Sequence, residues 1–372
     1  MLESTQIAVD NYIAQVGKAN GVANPSARKF TVGPAIQQKM VARLRLTSTF
    51  LSLISIQTVV QQEGEKLGVG ATRPIASRTN TKTPGNKRVA TDPTSIERLN
   101  RYRCEQTNSD YAWPYDKLDA WAHIPEFQTL LRDSVLTQQG IDKILIGWNG
   151  TSVAPDTDIE ANPLLQDVNI GWIQHLRTDA PDRIISWGDK DPQVKDPTTH
   201  AITHAGSVKV RKDGTGDYIN LDALVVDALN LLDERVRTAT DLVVIIGAKL
   251  AGNRTFTLVN DNSSDAVKAL ALDVLLGKQT IGGKPAYQVP YFPENAIMIT
   301  SLKNLAIYIQ LGTLRRMLRD EPDYDQVANY ESENDAYVIE DYGKVAYVEN
   351  IDMDGAGEIE PEIDREDPIE AS

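Results

Sequence analysis

QQEGEKLGVGATRPIASRTNTKTPGNKRVATDPTSIE, residues 61–97, is the stretch that decides how this chain folds. It holds no aromatic residue and few large apolar ones, while Thr, Lys, Arg, Gly and Pro dominate, so it cannot bury a core of its own. Just before it, residues 51–60 alternate Leu53, Ser55 and Gln57 against Ile54, Ile56 and Thr58, the period of a strand. Just after it, "RYRCEQTNSDYAW" (101–113) is again strand-like. A polar excursion of this length between two strands is uncommon in a compact domain and marks a functional loop or disorder. The chain is therefore expected to send a long, two-stranded flap out of a folded body.

Outward from the flap the periodicity changes. Residues 115–148 carry Phe127, Leu131, Val135, Ile141, Leu145 and Trp148 as a helical stripe, with Gly150 past its end. Pro125 separates this long helix from a short turn around Leu118 and Trp121. Upstream, residues 4–21 predict a short amphipathic helix with Ser4 or Thr5 as cap, Val9, Tyr12, Ile13 and Val16 on one face, and Gly17 or Gly21 as stop. The breaker-rich joint "GVANPSARKF" (21–30) follows. Two possibilities stay open there: a terminal helix packed on the body, or a detachable segment behind an exposed, cleavable link.

Residues 151–217 are irregular, with one short helix expected around "NPLLQDVNIGWIQHLR" (162–177). From Asn220 the signals sharpen. Leu221, Leu224, Val225, Ala228, Leu231 and Leu232 form a helix face, "LVVII" before Gly247 is a buried strand, and another helix is expected over 264–277. Strands are expected at "AIMIT" and at "LAIYIQ", and "AYVIEDYGKVAYVENI" (336–351) predicts a hairpin turning near Tyr342 and Gly343. Helices and strands share this half, so the fold class is α+β.

The 372 residues suffice for one or two cores with appendages. A formal charge of -14 argues against nucleic-acid binding over the whole surface, but that charge is unevenly placed. Between Glu65 and Arg103 nine Lys and Arg face three acids, near +6, whereas residues 350–372 hold nine acids against Arg365 alone, or -8. One cysteine, Cys104, excludes an internal disulfide framework, and no secretory signal pattern opens the chain, so a reducing cytoplasm is expected. The longest apolar runs are about half a bilayer span, so no membrane association is expected.

Sites for chemistry fail one by one. Gly277 and Lys278 have Leu272 where a phosphate-binding loop needs its first glycine, and "GVGATR" lacks the third glycine of a dinucleotide fingerprint. Cys104 has no nearby histidine and sits in a strand-like stretch, which suits a structural cysteine better than a nucleophile. His200 and His204 have the spacing of a helical metal pair, yet "DPTTHAITH" is β-branched and follows Pro197, so coincidence in a loop is the better account. "DMDGAGEIEPEID" imitates a calcium loop but has Ile363 where a bidentate Glu is required, which leaves a solvated, disordered tail. The basic flap lacks the aromatic platforms of single-strand binders. Its charge is either ordinary solvated charge or attraction to an acidic protein neighbour. No enzyme, cofactor or metal is expected, and a protein that wraps its neighbours is favoured.

Longer segments carry a resemblance. "ARKFTVGPAIQQ", "GEKLGVGATRPIASRTNT", "NPLLQDVNIGWIQHLRTDAPDRI", "VPYFPENAIMITSLKNLAIYI" and "NYESENDAYVIEDYGKVAYVE", in this order, resemble the major capsid proteins of peduovirus-type tailed phages along nearly the whole chain. The resemblance implies a Hong Kong 97-like capsid fold. It assigns 1–30 to a cleavable scaffold-interacting segment, 31–60 to an N-terminal arm, 61–112 to an extended loop, 113–216 with 313–354 to a peripheral domain with a spine helix, 217–312 to an axial domain and 355–372 to an acidic tail. It further implies pentamers and hexamers of one subunit, an internal scaffolding protein with prohead protease activity, a portal protein, a decoration protein, and packaged double-stranded DNA held non-specifically. Assembly would take place in the host bacterial cytoplasm, and the product would be the virion capsid. Phe30 and Thr31 match the processing junction. Lys66, Arg73, Arg78, Lys82, Lys87 and Arg88 would form an inter-subunit basic loop. A cellular nanocompartment shell protein of the same fold is the alternative, since fold alone does not fix function.

Overall fold

The structure, a computed structural model, describes the chain except residues 66–67, 72–75, 83–85, 89–93, 98–100, 122–126, 197–200, 253–279 and 354–372. It divides into two units, Met1–Pro181 with Ser301–Tyr342, and Asp182–Thr300 with the chain from Gly343 on.

The first unit is built on a seven-stranded sheet whose axis is Gln326–Ile339, a strand of 14 residues. Arg315–Glu321 pairs antiparallel with its first half, from Arg315 opposite Ser332 to Glu321 opposite Gln326. Leu305–Gln310 pairs antiparallel with its second half, from Leu305 opposite Ile339 to Ile309 opposite Asp335. Ser55–Val59 runs parallel beside Leu305–Gln310, with Ile56 opposite Ile307. Phe30–Thr31 closes the far edge against Arg315–Glu321. The returning stretch after the flap supplies Glu105–Asn108 and Tyr111–Pro114, both paired with the long strand.

Helices cover this sheet. The stripe read in the sequence becomes Phe127–Asn149, 23 residues, with Leu131, Leu136, Ile144, Leu145 and Trp148 buried. Its glycines set how closely neighbours approach: a Cβ at Gly147 would lie 2.4 Å from the Trp172 ring, and one at Gly140 would lie 2.5 Å from Thr47 Oγ1. Trp172 opens the helix Trp172–Asp179, is fully buried, and donates its indole N–H to the Ala306 carbonyl at 3.0 Å. Trp148, Phe50 and Tyr337 surround it edge-on, the geometry that aromatic quadrupoles favour.

The second unit has a six-stranded sheet in the order Thr280–Ile281, Lys284–Gln288, Leu242–Ile246, Ile297–Ser301, Ala346–Val348, Ile184–Ile185. "LVVII" is buried at every position, as an apolar run without alternation predicts for a central strand. Helix Leu221–Ala228 packs on it through Leu221, Leu224 and Val225, and Asn220 caps the helix by accepting the Ala223 N–H at 2.8 Å. Gly282 and Gly283, with φ of +57° and +75°, turn the chain between the first two strands, where positive φ at both positions favours a Gly pair.

Several expectations change. The 336–351 hairpin does not form: Gln326–Ile339 belongs to the seven-stranded sheet, whereas Ala346–Val348 pairs with Ile297–Ser301 and Ile184–Ile185. Alternation identified both strands but says nothing about partners. The strand expected over 51–60 is shorter, because Thr49–Leu53 is helical and the ladder begins at Ser55. The arm also contains Pro34–Thr47, a helix opened by a proline at its first turn. The short helix within 162–177 starts only at Trp172, and the next helix ends at Ala228, with Leu229–Leu231 in a 3-10 turn. The expected helix over 264–277, His200 and the acidic tail lie outside the described residues.

Candidate assembly surfaces

The amphipathic N-terminal helix forms as Glu3–Asn20 and is packed on its own chain. Val9 is buried with Leu118, Leu131 and Val327, and Ile13, Trp113 and Tyr115 pack around them. Tyr12 meets Trp113 edge-on at 6.3 Å, and Tyr12 and Arg316 both line the cavity beneath the helix. The helix start is tied by the Leu2 N–H, which donates to Asp119 Oδ1 at 2.8 Å. Its end turns through Gly21 at φ +67°, the left-handed conformation that glycine adopts without strain. The helix is thus packed on the body, which does not bear on whether the segment is later removed.

Phe30 and Thr31 form a two-residue edge strand opposite Arg316 and Arg315. The ladder continues in the Val32 N–H, which donates to the Leu314 carbonyl at 2.8 Å. Phe30 is 9% exposed and packs with Val32 and Leu314, against Val16 and Val22 from the N-terminal side and Ile36 and Met40 from the body. Thr31 and Ala27, Arg28 and Lys29 are exposed.

The flap is a two-stranded ribbon. Glu63–Glu65 pairs antiparallel with Arg101–Arg103, and Gly68–Ala71 with Thr94–Glu97. Tyr102 lies over Gly64, where a Cβ would stand 2.7 Å from the ring, and meets Tyr308 of the sheet edge-on at 5.0 Å. Arg78, Lys82, Lys87 and Arg88 lie between the two inner strands and are exposed, with no ion pair among the described residues. Asn80 accepts the Lys82 N–H at 3.1 Å, and Asn86 donates to the Asn80 carbonyl, which folds the tip on itself. Lys66 and Arg73 lie outside the described residues. The structure thus brings four of the six expected basic residues to one solvent-facing segment.

Sequence reading missed a buried charge cluster in the first unit. Lys143 of the long helix reaches Asp335 at 2.8 Å and Glu333 at 2.7 Å on the long strand. Asp335 is fully buried and also accepts from Thr107 and Asn169. Burial alone would push the Lys143 ammonium down, but Asp335 and Glu333 outweigh it and hold the group well above the ordinary lysine range. One step along the same face, Arg316 meets Glu331 at 3.0 Å. The signal available was the run Glu331, Glu333, Asp335 at strand spacing, which looks like a solvated face until a basic partner is known.

Among the described residues the remaining polar groups do not assemble into a reactive site. Burial pushes the Cys104 thiol up to about 12, so it stays protonated and inert. His204 Nε2 lies 2.7 Å from Asp191, and Ser207 donates to the other oxygen of the same carboxylate. Asp191 therefore sits between the other two, and the imidazole is not placed to take a proton from the hydroxyl. A cavity of about 210 Å³ beneath the N-terminal helix is lined by Val16, Ile36, Met40, Leu136, Arg132 and Arg316 among others, a mixed lining without a general acid and base pair. Among the described residues no group of His, Cys, Asp and Glu could hold a metal, and no helix is long and apolar enough to cross a membrane.

Comparison with known proteins matches this arrangement to one family. The model of the phage major capsid protein, P2 family, matches residues 8–351. The chain is 38% identical over 353 residues to the capsid proteins of Escherichia phage P2, covering 94% of this chain and 95% of that one. It is 38% identical over 351 residues to the major capsid protein of Serratia phage KSP20, covering 93% and 96%. Among solved structures, a chain of the satellite phage P4 procapsid including size determination (Sid) protein is 36% identical, with a TM-score of 0.74, covering 95% of this chain and 99% of that one.

Proposed function

The chain belongs to the P2 family of phage major capsid proteins, and from that premise we propose that its copies tile as pentamers and hexamers on an internal scaffolding protein into an icosahedral shell around double-stranded DNA. It is a structural component of the capsid and not an enzyme. The observation that carries the proposal is the likeness to a procapsid chain over 95% of the sequence. The first unit is proposed as the peripheral domain with its arm and extended loop, the second as the axial domain. The resemblance puts the bounds of the axial domain at 217–312, while contacts within the fold divide the chain at Pro181, Thr300 and Tyr342.

One sequence in rings of five and six must use heterologous, head-to-tail contacts. A contact of roughly 800 Å² per partner is moderate alone, but a limb reaching a second neighbour adds affinity through effective concentration. The ribbon suits this role. Its four exposed cations lie in a chain of net charge -14, so a neighbouring copy offers the opposite sign. Substituting Lys82→Glu, Lys87→Glu and Arg88→Glu together should abolish most closed shells in electron micrographs. The unfolding free energy of the isolated subunit should change by only about 0.5 kcal/mol or less, as for exposed sites without partners. Shells in normal number from that variant would remove the ribbon from assembly.

The proposal extends to processing by a scaffold-linked protease in the host cytoplasm, with a portal and a decoration protein as further partners. The apolar face of the N-terminal helix is packed in cis, so a scaffold would meet its outer face, where Ile7 is 57% exposed. Subunits from mature virions should begin at Thr31 by intact mass, and an unprocessed Met1 there would refute the cut. Expression with and without the phage scaffold, followed by electron microscopy, tests the whole: scaffold-dependent closed shells are expected, and a permanently monomeric chain would overturn it.

A further inference from the structure

We propose that the Phe30–Thr31 junction is gated by its own fold: the bond is closed to proteases while the N-terminal helix is docked, and opens only when that helix lifts. This rests on the processing proposal above, and concerns when the bond can be cut rather than where. Proteases favour exposed, flexible segments, and a folded site is cut in proportion to the population of its opened form. The residues preceding the junction meet that requirement, since Ala27, Arg28 and Lys29 are exposed. The junction itself does not.

Three contacts close it. Phe30, the side chain that an enzyme must seat on the acyl side of the cut, is buried among Val32, Leu314 and Met40. The backbone on both sides of the bond is engaged by the neighbouring strand, through the Phe30 and Thr31 pairings and the Val32 to Leu314 hydrogen bond. The cover over Phe30 comes partly from the segment that the cut would remove: Val16 and Val22 complete its pocket. Gly17 fixes how that segment turns back, because a Cβ there would stand 2.6 Å from the Val22 carbonyl and 3.2 Å from Pro25.

The weak point is equally visible. The closing strand has two residues and lies at the sheet edge, and the cavity of about 210 Å³ under the helix leaves its second half incompletely packed. Lifting the helix therefore uncovers Phe30 while the rest of the sheet stays intact, a local opening rather than global unfolding.

The test needs no phage enzyme. A chymotrypsin-type protease cuts after aromatic side chains, so it reads the Phe30–Thr31 bond directly. Initial rates of release of residues 1–30 would be measured by mass spectrometry for the full chain and for a synthetic peptide of residues 22–40. The peptide should be cut at least roughly 30-fold faster than the chain, reflecting a minor open population. Gly17→Val and Val9→Asp, both more than ten residues from the bond, should each bring the chain's rate to within about threefold of the peptide's while the main thermal transition is retained. Equal rates for chain and peptide would overturn the gate. So would protection that persists in both variants, with their N-terminal helices shown to be undocked by faster tryptic cutting at Lys18. If virion subunits begin at a residue other than Thr31, the processing proposal fails and the measured protection is left without that role. If they begin at Thr31 but the free chain is cut as fast as the peptide, only the gate fails.

Discussion

Lys143→Ala is expected to destabilise the first unit by about 3–5 kcal/mol, enough to unfold much of a subunit population. The lysine is buried and is the cation between Asp335, fully inside, and the half-buried Glu333. Removing it leaves the two carboxylates without their cation, and burial already pushes the Glu333 carboxyl above its ordinary range. The loss is therefore mostly the cost of stranded charge rather than the net worth of the ion pair. This makes a second result diagnostic: adding Glu333→Gln and Asp335→Asn to a Lys143→Met chain should recover part of the loss, because the stranded charges are gone. Urea unfolding of the isolated subunit measures both. A single variant that loses less than about 1 kcal/mol would show that water reaches the cluster.

Gly171→Val should cost about 3 kcal/mol or more, by a different mechanism. A Cβ at Gly171 would lie 2.4 Å from the Ile146 carbonyl and 2.6 Å from the Gly147 carbonyl, both backbone atoms of the long helix, so no side chain can swing away. Its φ of -88° suits any residue, which means that the glycine is present for space and not for conformation. The same crossing is tight elsewhere, since a Cβ at Gly150 would stand 2.1 Å from the Asn169 carbonyl. Gly252→Ala is the matching control, because nothing among the described residues lies within 4 Å of a Cβ there and its φ is ordinary. Thermal unfolding should separate the two by several degrees, with the control close to the parent.

What the sequence disclosed follows from which interactions are local. Leu242–Ile246 and Leu305–Gln310 were readable because their own side chains carry the apolar pattern of a buried strand. The long helix was readable for the same reason, with a stripe that spans six turns. The polar composition of residues 61–97 likewise pointed to a ribbon before any pairing was known. Partners are not local. Ile339 and Ala346 are only seven positions apart and yet serve different sheets, which no alternation reveals. Pro34–Thr47 escaped because its inward face mixes Gln37 with Val41 and Leu44, so its apolar stripe is faint. Gln37 is buried because it reaches the Gln310 carbonyl and the Gly312 N–H, partners more than 270 residues away. The proposed processing junction rests on likeness to known proteins. Its burial became visible only in the folded chain.

The 14-residue strand Gln326–Ile339 also has a mechanical meaning. Its ladders with Arg315–Glu321 and Leu305–Gln310 lie end to end along it, so a tensile load applied along its axis is borne in shear by many hydrogen bonds together. The two-residue strand at Phe30–Thr31 would instead peel one rung at a time. Pulled along that strand, the sheet would hold at its long ladders and give first at the short one.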